Sequence, residues 1–285
     1  MISQAKINIG LDILYKRADG YHEICSIFAK INWGDEIHFE KTAGKGFELV
    51  SQNLLSPERR DFFEAVSERG NPEKNILFRA WKEFSPDLGL KVNLIKRIPP
   101  GGGLGGGSSN AAELIRFVTN GQITPQIIQK SSLIGADIPF FLQNGNGLVS
   151  GIGEKFRPLV IASGHGLLCI PDFIAPTRDI YSRLKKPLQN SDLQESCDKA
   201  VEVLTALEKG DWQNAGELKN EFEKVVFPDH PVLRQVKQEF NADYASMTGS
   251  GSCIYGLYPS KEDAESARTR LEKSYPGFTF ICFEY

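Results

Sequence analysis

The chain has 285 residues, of which 41% are hydrophobic and 24% are charged, and its net charge at pH 7 is -3. That length favours two closely joined domains, and the lack of a basic block in the sequence argues against a nucleic-acid partner. The first fifteen residues alternate apolar and polar side chains, and no apolar run reaches membrane length. We therefore expect a cytoplasmic protein without a membrane partner, and the sequence does not indicate its oligomeric state.

Cysteines and histidines are too scattered to indicate a metal site. The five cysteines form no C-x-x-C pair, and the four histidines have no H-x-x-x-H spacing. Zinc sites use such arrangements. The sequence therefore predicts reduced, buried thiols and no tightly held transition metal.

A hairpin is predicted at the start of the chain. Apolar and polar side chains alternate from residue 6 to 14, which places Lys6 and Asn8 on one polar face. An A-D-G turn at residues 18–20 leads to a second strand over 22–29, with a further turn over 32–35. Tyr21 and His22 then lie where a turn becomes a strand.

Residues 41–72 are weakly patterned, and we expect an irregular or partly helical insertion there. Asn75 heads a predicted helix whose apolar residues recur at helical spacing. A strand is predicted over residues 91–98, a glycine-rich loop follows it, and a helix begins near Ser109. Thr124 followed by proline predicts one more helix start.

The second half has a predicted strand over residues 167–170 and predicted helices over 196–207, 211–223 and 231–239. Strands over 244–247 and 253–257 flank the short loop T-G-S-G-S. Ser260, with Asp263 in the capping-box position, starts a last helix that precedes a strand over 278–283. The predicted boundary near residue 156 divides an N-terminal domain, 1–155, from a C-terminal domain, 156–285.

The glycine-rich loop has six glycines in the seven positions 101–107, between a predicted strand and a predicted helix. Backbone N–H groups can approach an anion closely where no side chain intervenes. The helix that follows directs its positive end at the same point. The loop therefore predicts a phosphate site.

Two other phosphate loops fit this sequence less well. Gly101, Gly103 and Gly106 match G-x-G-x-x-G, but residues 114–136 contain no acidic residue for a ribose, which disfavours a nicotinamide-dependent oxidoreductase. A P-loop would need lysine where Ser108 stands. We expect Ser108 or Ser109 to cap the helix while also facing phosphates or Mg²⁺.

The residues P-x-G-x-G-L-G-G-G-S-S-N-A-A, at positions 99–112, resemble the ATP loop of the GHMP kinases. Segments at 5–22, 135–141 and 248–252 resemble the members that phosphorylate the 2-hydroxyl of 4-diphosphocytidyl-2-C-methyl-D-erythritol in non-mevalonate isoprenoid biosynthesis. The resemblance implies an α+β, two-domain GHMP kinase fold, with an N-terminal nucleotide-loop domain, a C-terminal ferredoxin-like domain and the active site in the cleft between them. It also implies an ATP-dependent small-molecule kinase that uses ATP with Mg²⁺.

The same resemblance assigns roles to individual residues. Asp137 matches the aspartate that orients the substrate hydroxyl and takes its proton, and Lys6 matches the lysine beside it. The positions that match ATP-binding residues are Pro99, Pro100, Gly101, Gly102, Gly103, Leu104, Gly105, Gly106, Gly107, Ser108, Ser109 and, near the adenine, Asn75. Those that match substrate-binding residues are Asn8, Tyr21, His22, Thr177 and Tyr181, of which Tyr21 and Tyr181 would sandwich a cytosine whose edge His22 reads. Asn110 departs from the family, which often has aspartate there.

Structural interpretations and other functions compete with these assignments. Asp137 could simply cap residues 138–142, and T-G-S-G-S could be only a hairpin turn, although we favour a place near the active site without direct chemistry. A GHMP kinase for another alcohol, such as homoserine, mevalonate or a sugar, is disfavoured by Tyr21 with His22. A binding protein without catalysis is disfavoured by Lys6 with Asp137.

Overall fold

The computed structural model describes residues 1–55, 72–174, 177–184, 198, 202 and 218–285. The predicted helix over 196–207 and most of the one over 211–223 lie outside the described residues. The described chain folds into two compact units. Unit 1 comprises Met1–Ala5, Trp33–Pro100 and Gly105–Asn144, and unit 2 comprises Lys6–Asn32, Gly101–Leu104 and Gly145–Tyr285.

The two units do not follow the predicted division at residue 156. Two long strands, β1 (Ile2–Lys16) and β2 (His22–Thr42), each contribute residues to both units. Unit 2 therefore takes a segment from near the start of the chain. As a boundary between sequence domains, the division at 156 stays a prediction.

Unit 1 combines helices with a sheet portion formed by β3 (Gly46–Asn53), β4 (Gly89–Lys96), the second half of β2 and the start of β1. Strand β4 pairs antiparallel with the second half of β2 and parallel with β3. Stacked rings of Phe39 and Phe117, 5.1 Å apart, join the sheet to a helix. The elements are β3 (Gly46–Asn53), α1 (Ile76–Phe84), β4 (Gly89–Lys96), α2 (Gly106–Val118), α3 (Pro125–Ser132) and α4 (Ile138–Leu142).

Unit 2 contains an antiparallel four-stranded sheet with the order β10-β7-β9-β8. Counted along the chain this order is fourth, first, third, second, which is the ferredoxin-like arrangement that was predicted. Strand β5 pairs antiparallel with the first half of β2 and with β6. The elements are β5 (Asn146–Gly151), β6 (Lys155–Leu159), β7 (His165–Ile170), α5 (Thr177–Arg183), α6 (Glu223–Asp229), α7 (Pro231–Glu239), β8 (Tyr244–Met247), β9 (Ile254–Tyr258), α8 (Lys261–Ser274) and β10 (Thr279–Glu284).

Local signals in the sequence are confirmed where a side chain caps a helix. Asn75 accepts a hydrogen bond from the N–H of Leu77 at 2.8 Å, Thr124 caps α3, and Ser260 accepts from the N–H of Asp263. Among the described residues, no helix is long and apolar enough to cross a membrane.

Two predictions in the first half are wrong. Residues 32–35 are not a turn, because β2 runs through them. Gly34 serves a close approach instead, since a Cβ there would lie 2.0 Å from the carbonyl oxygen of Ser3. The described part of the weakly patterned segment contains β3, which is stabilised by pairing with β4, while residues 56–71 lie outside the described residues.

Candidate active site

The glycine-rich loop connects β4 to α2. Gly101, Gly103 and Gly105 have φ angles of 66°, 75° and 69°, a region that residues with a Cβ rarely adopt. Helix α2 begins at Gly106, three residues earlier than predicted, and Gly105 is its N-cap without a side-chain hydrogen bond. The first N–H groups of the helix are thus not capped by a side chain, as an anion site requires.

The two loop serines do not cap α2, so that prediction is wrong. Both lie within its first turns, because the helix starts before them. The hydroxyl of Ser109 is buried and accepts a hydrogen bond from the hydroxyl of Ser3 at 2.7 Å. Ser108 is half-buried and is the more exposed of the two serines.

The starts of three helices meet within unit 1. Ile76 is the first residue of α1, and its Cγ2 lies 3.5 Å from the Cβ position of Gly107 while its Cδ1 lies 3.1 Å from that of Gly135. The latter position is 3.3 Å from Ile138, the first residue of α4. The structure therefore brings together the first turns of α1, α2 and α4.

Asp137 and Asn75 are the residues that precede α4 and α1, respectively. Asp137 is half-buried and occupies the N-cap position of α4, but its side chain makes no capping hydrogen bond. The interpretation of Asp137 as a cap is therefore not supported. Asn75 is buried and caps α1, at the place predicted to lie near the adenine.

A buried carboxylate in unit 1 joins the two ends of the glycine loop. Asp35 is fully buried and accepts four hydrogen bonds of 2.5–2.9 Å, from Lys96 Nζ, the N–H groups of Arg97 and Ile98, and Asn110 Nδ2. Lys96 Nζ lies 3.0 Å from the Cβ position of Gly106. Asp35 thus fixes the end of β4 and the start of α2.

The amide of Asn110 suits this carboxylate, because an aspartate at 110 would place a second negative charge against Asp35. The amide donates through Nδ2 at 2.9 Å, and its buried Oδ1 has no hydrogen-bond partner. Sequence reasoning missed Asp35. An acidic residue inside a strand of otherwise apolar alternation was the available signal.

Lys6 and Asn8 lie together in unit 2, as the alternation of β1 predicted. Both side chains are buried. Lys6 Nζ donates to Asn8 Oδ1 at 2.5 Å and to the carbonyl of Gly103 at 2.9 Å, and it lies 4.6 Å from the ring centroid of Phe28. The ammonium group is thus held against the first part of the glycine loop.

The T-G-S-G-S loop is both a hairpin connection and a neighbour of the glycine loop. It joins β8 to β9, and the Thr248 hydroxyl donates to the Gly103 carbonyl at 3.0 Å. The N–H of Gly249 donates to Asn8 Oδ1 at 2.8 Å. A Cβ on Gly103 would lie 1.9 Å from the carbonyl oxygen of Thr248, so only glycine fits there.

The structure brings His22 and Tyr181 together in unit 2. Their ring centroids are 5.2 Å apart, and Tyr181 packs edge-to-face on Phe222 at 4.7 Å. Tyr21 has 59% of its surface exposed. Thr177 begins α5, but its side chain lies outside the described atoms.

The turn before Tyr21 is held by its own residues. The N–H of Arg17 donates to the carbonyl of Tyr21 at 2.7 Å, and the N–H of Tyr21 donates to Asp19 Oδ1 at 3.1 Å. Arg17 also pairs with the buried carboxylate of Glu23 at 3.1 Å. These contacts fix where Tyr21 and His22 leave the turn.

The predicted site residues are divided between the units. Asp137, Asn75, Pro99, Pro100 and residues 105–109 belong to unit 1, whereas Lys6, Asn8, Tyr21, His22, Tyr181 and residues 101–104 belong to unit 2. Among the described residues, no group of three or more His, Cys, Asp or Glu side chains could hold a metal ion.

Comparison with known proteins agrees with the loop and the fold. The models for the GHMP kinases N terminal domain and GHMP kinases C terminal match residues 75–145 and 203–277. A 4-diphosphocytidyl-2-C-methyl-D-erythritol kinase of Leptospira interrogans is 41% identical and covers 100% of both chains. The protein of that name from Thermotoga maritima is 34% identical over 91% of this chain and 92% of its own.

A solved structure agrees with these relatives. The crystal structure of a 4-(cytidine 5'-diphospho)-2C-methyl-D-erythritol kinase has a TM-score of 0.77 at 25% identity and covers 100% of this chain and 98% of its own. The fold, both family domains and the full-length relatives therefore agree. The chain belongs to the GHMP kinase family, in its group of 4-diphosphocytidyl-2-C-methyl-D-erythritol kinases.

Proposed function

We propose that this chain transfers the terminal phosphoryl group of ATP to the 2-hydroxyl of 4-diphosphocytidyl-2-C-methyl-D-erythritol, in the non-mevalonate supply of isoprenoid precursors. The observation that carries the proposal is the ring contact between His22 and Tyr181 beside the exposed Tyr21. This contact supports a nucleobase site in the same unit that holds Lys6 against the glycine loop.

The glycine loop fits a triphosphate. Its glycines at 101, 103 and 105 adopt left-handed backbone, and the uncapped start of α2 offers N–H groups and the positive end of the helix dipole. We assign ATP to residues 99–109, with the adenine beside Asn75. Of the two loop hydroxyls, Ser108 is the one we expect to face phosphate, because the hydroxyl of Ser109 is paired with Ser3.

Asp137 and Lys6 are the proposed catalytic residues. The Asp137 carboxylate accepts a hydrogen bond from the substrate hydroxyl and takes its proton as the new O–P bond forms. The bond from the terminal phosphorus to the bridging oxygen breaks, and ADP leaves. The Lys6 ammonium offsets the negative charge of the transferred group, since phosphoryl transfer depends mainly on positioning and electrostatics.

Mg²⁺ is proposed to arrive with ATP. When bound, it would neutralise part of the negative charge of the phosphates. The residue of this chain that we assign to it is Ser108, whose hydroxyl lies in the first turn of α2.

The cytosine is proposed to stack between Tyr21 and Tyr181 while His22 reads its edge. Base stacking on an aromatic ring is worth on the order of 1–3 kcal/mol, which is enough to select a cytidyl alcohol over a plain one. Asn8 and Thr177 complete the proposed substrate side. We also propose a cytoplasmic setting, in which the free thiols of Cys25, Cys169, Cys253 and Cys282 stay reduced.

The decisive experiment measures ADP release from the purified protein with Mg-ATP and 4-diphosphocytidyl-2-C-methyl-D-erythritol. Asp137→Asn should abolish turnover while leaving ATP binding intact. Asp87→Asn is the matched control, because the exposed Asp87 lies in the same unit. Turnover that survives in D137N would remove Asp137 from catalysis, and turnover only with homoserine or mevalonate would reassign the substrate.

The base site has its own test. Tyr21→Ala should raise the KM for the cytidyl substrate, and Tyr21→Phe should leave it near the original value, because the ring is kept. The KM for ATP serves as the internal reference. An unchanged cytidyl KM in Y21A would reject the stacking role of Tyr21.

A further inference from the structure

Asn220 holds the T-G-S-G-S loop through an amide that is fully used. Its side chain is buried. Nδ2 donates to the carbonyl oxygens of Met247 and Gly249, both at 2.7 Å, and Oδ1 accepts from the N–H of Phe222 at 3.0 Å. Two donors and one acceptor on a short side chain are available only from asparagine or its longer homologue.

The backbone around Asn220 is fixed to β1, the strand that carries Lys6 and Asn8. The N–H of Leu11 donates to the carbonyl of Lys219, and the N–H of Glu221 donates to the carbonyl of Leu11, both at 3.0 Å. Asn220 and Leu11 thereby form an isolated parallel bridge. The amide of Asn220 is therefore held in place relative to β1, the strand that carries the proposed catalytic lysine.

The loop that Asn220 holds makes the contacts that surround Lys6. The Gly103 carbonyl accepts from both the Thr248 hydroxyl and Lys6 Nζ. Asn8 Oδ1 accepts from both the Gly249 N–H and Lys6 Nζ. A shift of residues 247–249 would thus move both oxygens on which the Lys6 ammonium is placed.

We propose that Asn220 is a positioning residue for phosphoryl transfer. By fixing the carbonyls of Met247 and Gly249, it sets the T-G-S-G-S loop against Gly103 and Asn8 and so places the ammonium group of Lys6. The inference rests on the proposed function. It adds a residue from the second half of the chain that touches neither ATP nor the alcohol.

The test is Asn220→Asp in the full-length protein. The substitution keeps the shape and the acceptor for the Phe222 N–H, but it removes both donors and turns a carboxylate toward two carbonyl oxygens. We expect kcat to fall at least tenfold. A loss of that size is on the order of the net contribution of one hydrogen bond. The KM for the cytidyl substrate should stay within about twofold, because Phe222, which supports Tyr181, keeps its hydrogen bond.

Asn241→Asp is the matched control, since Asn241 is exposed in the same unit and the chemical change is identical. Its kcat should equal that of the unsubstituted protein. Circular dichroism and thermal melting establish that each variant is folded. Asn220→Ala, which is uncharged, is measured beside N220D and should also lower kcat.

The outcomes separate the inference from the function it rests on. If the unsubstituted protein does not release ADP with this substrate, the proposed function fails and the inference fails with it. If the unsubstituted protein does release ADP, and folded N220D keeps its kcat or changes only its KM, the positioning role alone is overturned. If neither N220D nor N220A folds, Asn220 is a folding residue and the proposal is likewise overturned.

Discussion

Asp35 shows how much can depend on one buried charge. Its carboxylate pairs with Lys96, whose ammonium group is also buried. Asp35→Asn would leave that ammonium without its counter-ion, and breaking a buried pair from one side destabilises a protein by about 3–5 kcal/mol. Urea unfolding should show a loss of this size.

The control for Asp35 is Asp87→Asn, which alters an exposed pair with Lys45. Exposed pairs contribute about 0–1 kcal/mol, so the urea midpoint should hardly move. Equal losses of stability in both variants would show that the buried Asp35–Lys96 pair contributes no more than an exposed pair.

Sequence reasoning at this scale succeeded where a residue's role is local. The alternation of β1 was enough to place Lys6 and Asn8 together, and Asn75, as a capping residue, was enough to predict the start of its helix. Asp35 and Asn220 were missed because their tertiary partners are distant in sequence. Those of Asp35 lie 61 residues or more away, and Met247 and Gly249 lie 27 and 29 residues from Asn220. The assigned chemistry of Asp137 came from family resemblance and stays a prediction.

At the scale of elements, the glycine loop depends on one close approach. Gly103→Ala would add both left-handed strain and a Cβ at 1.9 Å from the Thr248 carbonyl. Gly121→Ala adds the strain alone, since Gly121 has φ +76° and nothing within 4 Å of its Cβ position. We expect G121A to lose about 1–2 kcal/mol with normal activity, and G103A to lose more stability and most of its kcat. Similar thermal melts and activities in both would show that the loops can separate without consequence.

Two helix caps separate stability from binding. Asn75→Ala and Thr124→Ala each remove a side-chain cap. Each should lower the free energy of unfolding, measured by chemical denaturation, by about 1 kcal/mol. Only N75A should also raise the KM for ATP, because only Asn75 is assigned to the adenine. A raised KM in both variants would point to general loosening of unit 1.

Secondary structure was predictable where one face of an element is buried or a cap is present. Helix α7 and strand β8 were placed at their observed bounds. The turn predicted at 32–35 was wrong because Gly34 and Asp35 are specified by tertiary contacts with Ser3 and with residues 96–98. The start of α2 was missed because glycines at 106 and 107 do not look like a first helical turn.

For the whole molecule, buried tyrosines predict a loss of stability at high pH. Burial raises the pKa of Tyr244 to about 12, and that of Tyr255 is raised well above its usual value for the same reason. Between pH 10 and 12 the unfolded chain releases these protons while the native chain keeps them. The native state then binds more protons, so the free energy of unfolding falls as pH rises, by up to about 1.4 kcal/mol per pH unit for each tyrosine.

Tyr244→Phe tests this assignment. The variant loses the hydrogen bonds to Gly10 and Leu218. This loss should lower the free energy of unfolding by about 1 kcal/mol near neutral pH. Its unfolding free energy should then decline less steeply from pH 10 to 12 than that of the unsubstituted chain. Parallel curves for the two proteins would exclude Tyr244 as a source of the slope.

The path of β1 through both units bears on inheritance as well as on folding. A crossover between two related genes near codon 156 would join an N-terminal half from one parent to a C-terminal half from the other. Leu11 and Asn220, or Gly10 and Tyr244, would then come from different parents although they form one unit. Recombinants should fold when residues 6–32 and the C-terminal half come from the same parent. The C-terminal half should therefore not be exchangeable on its own.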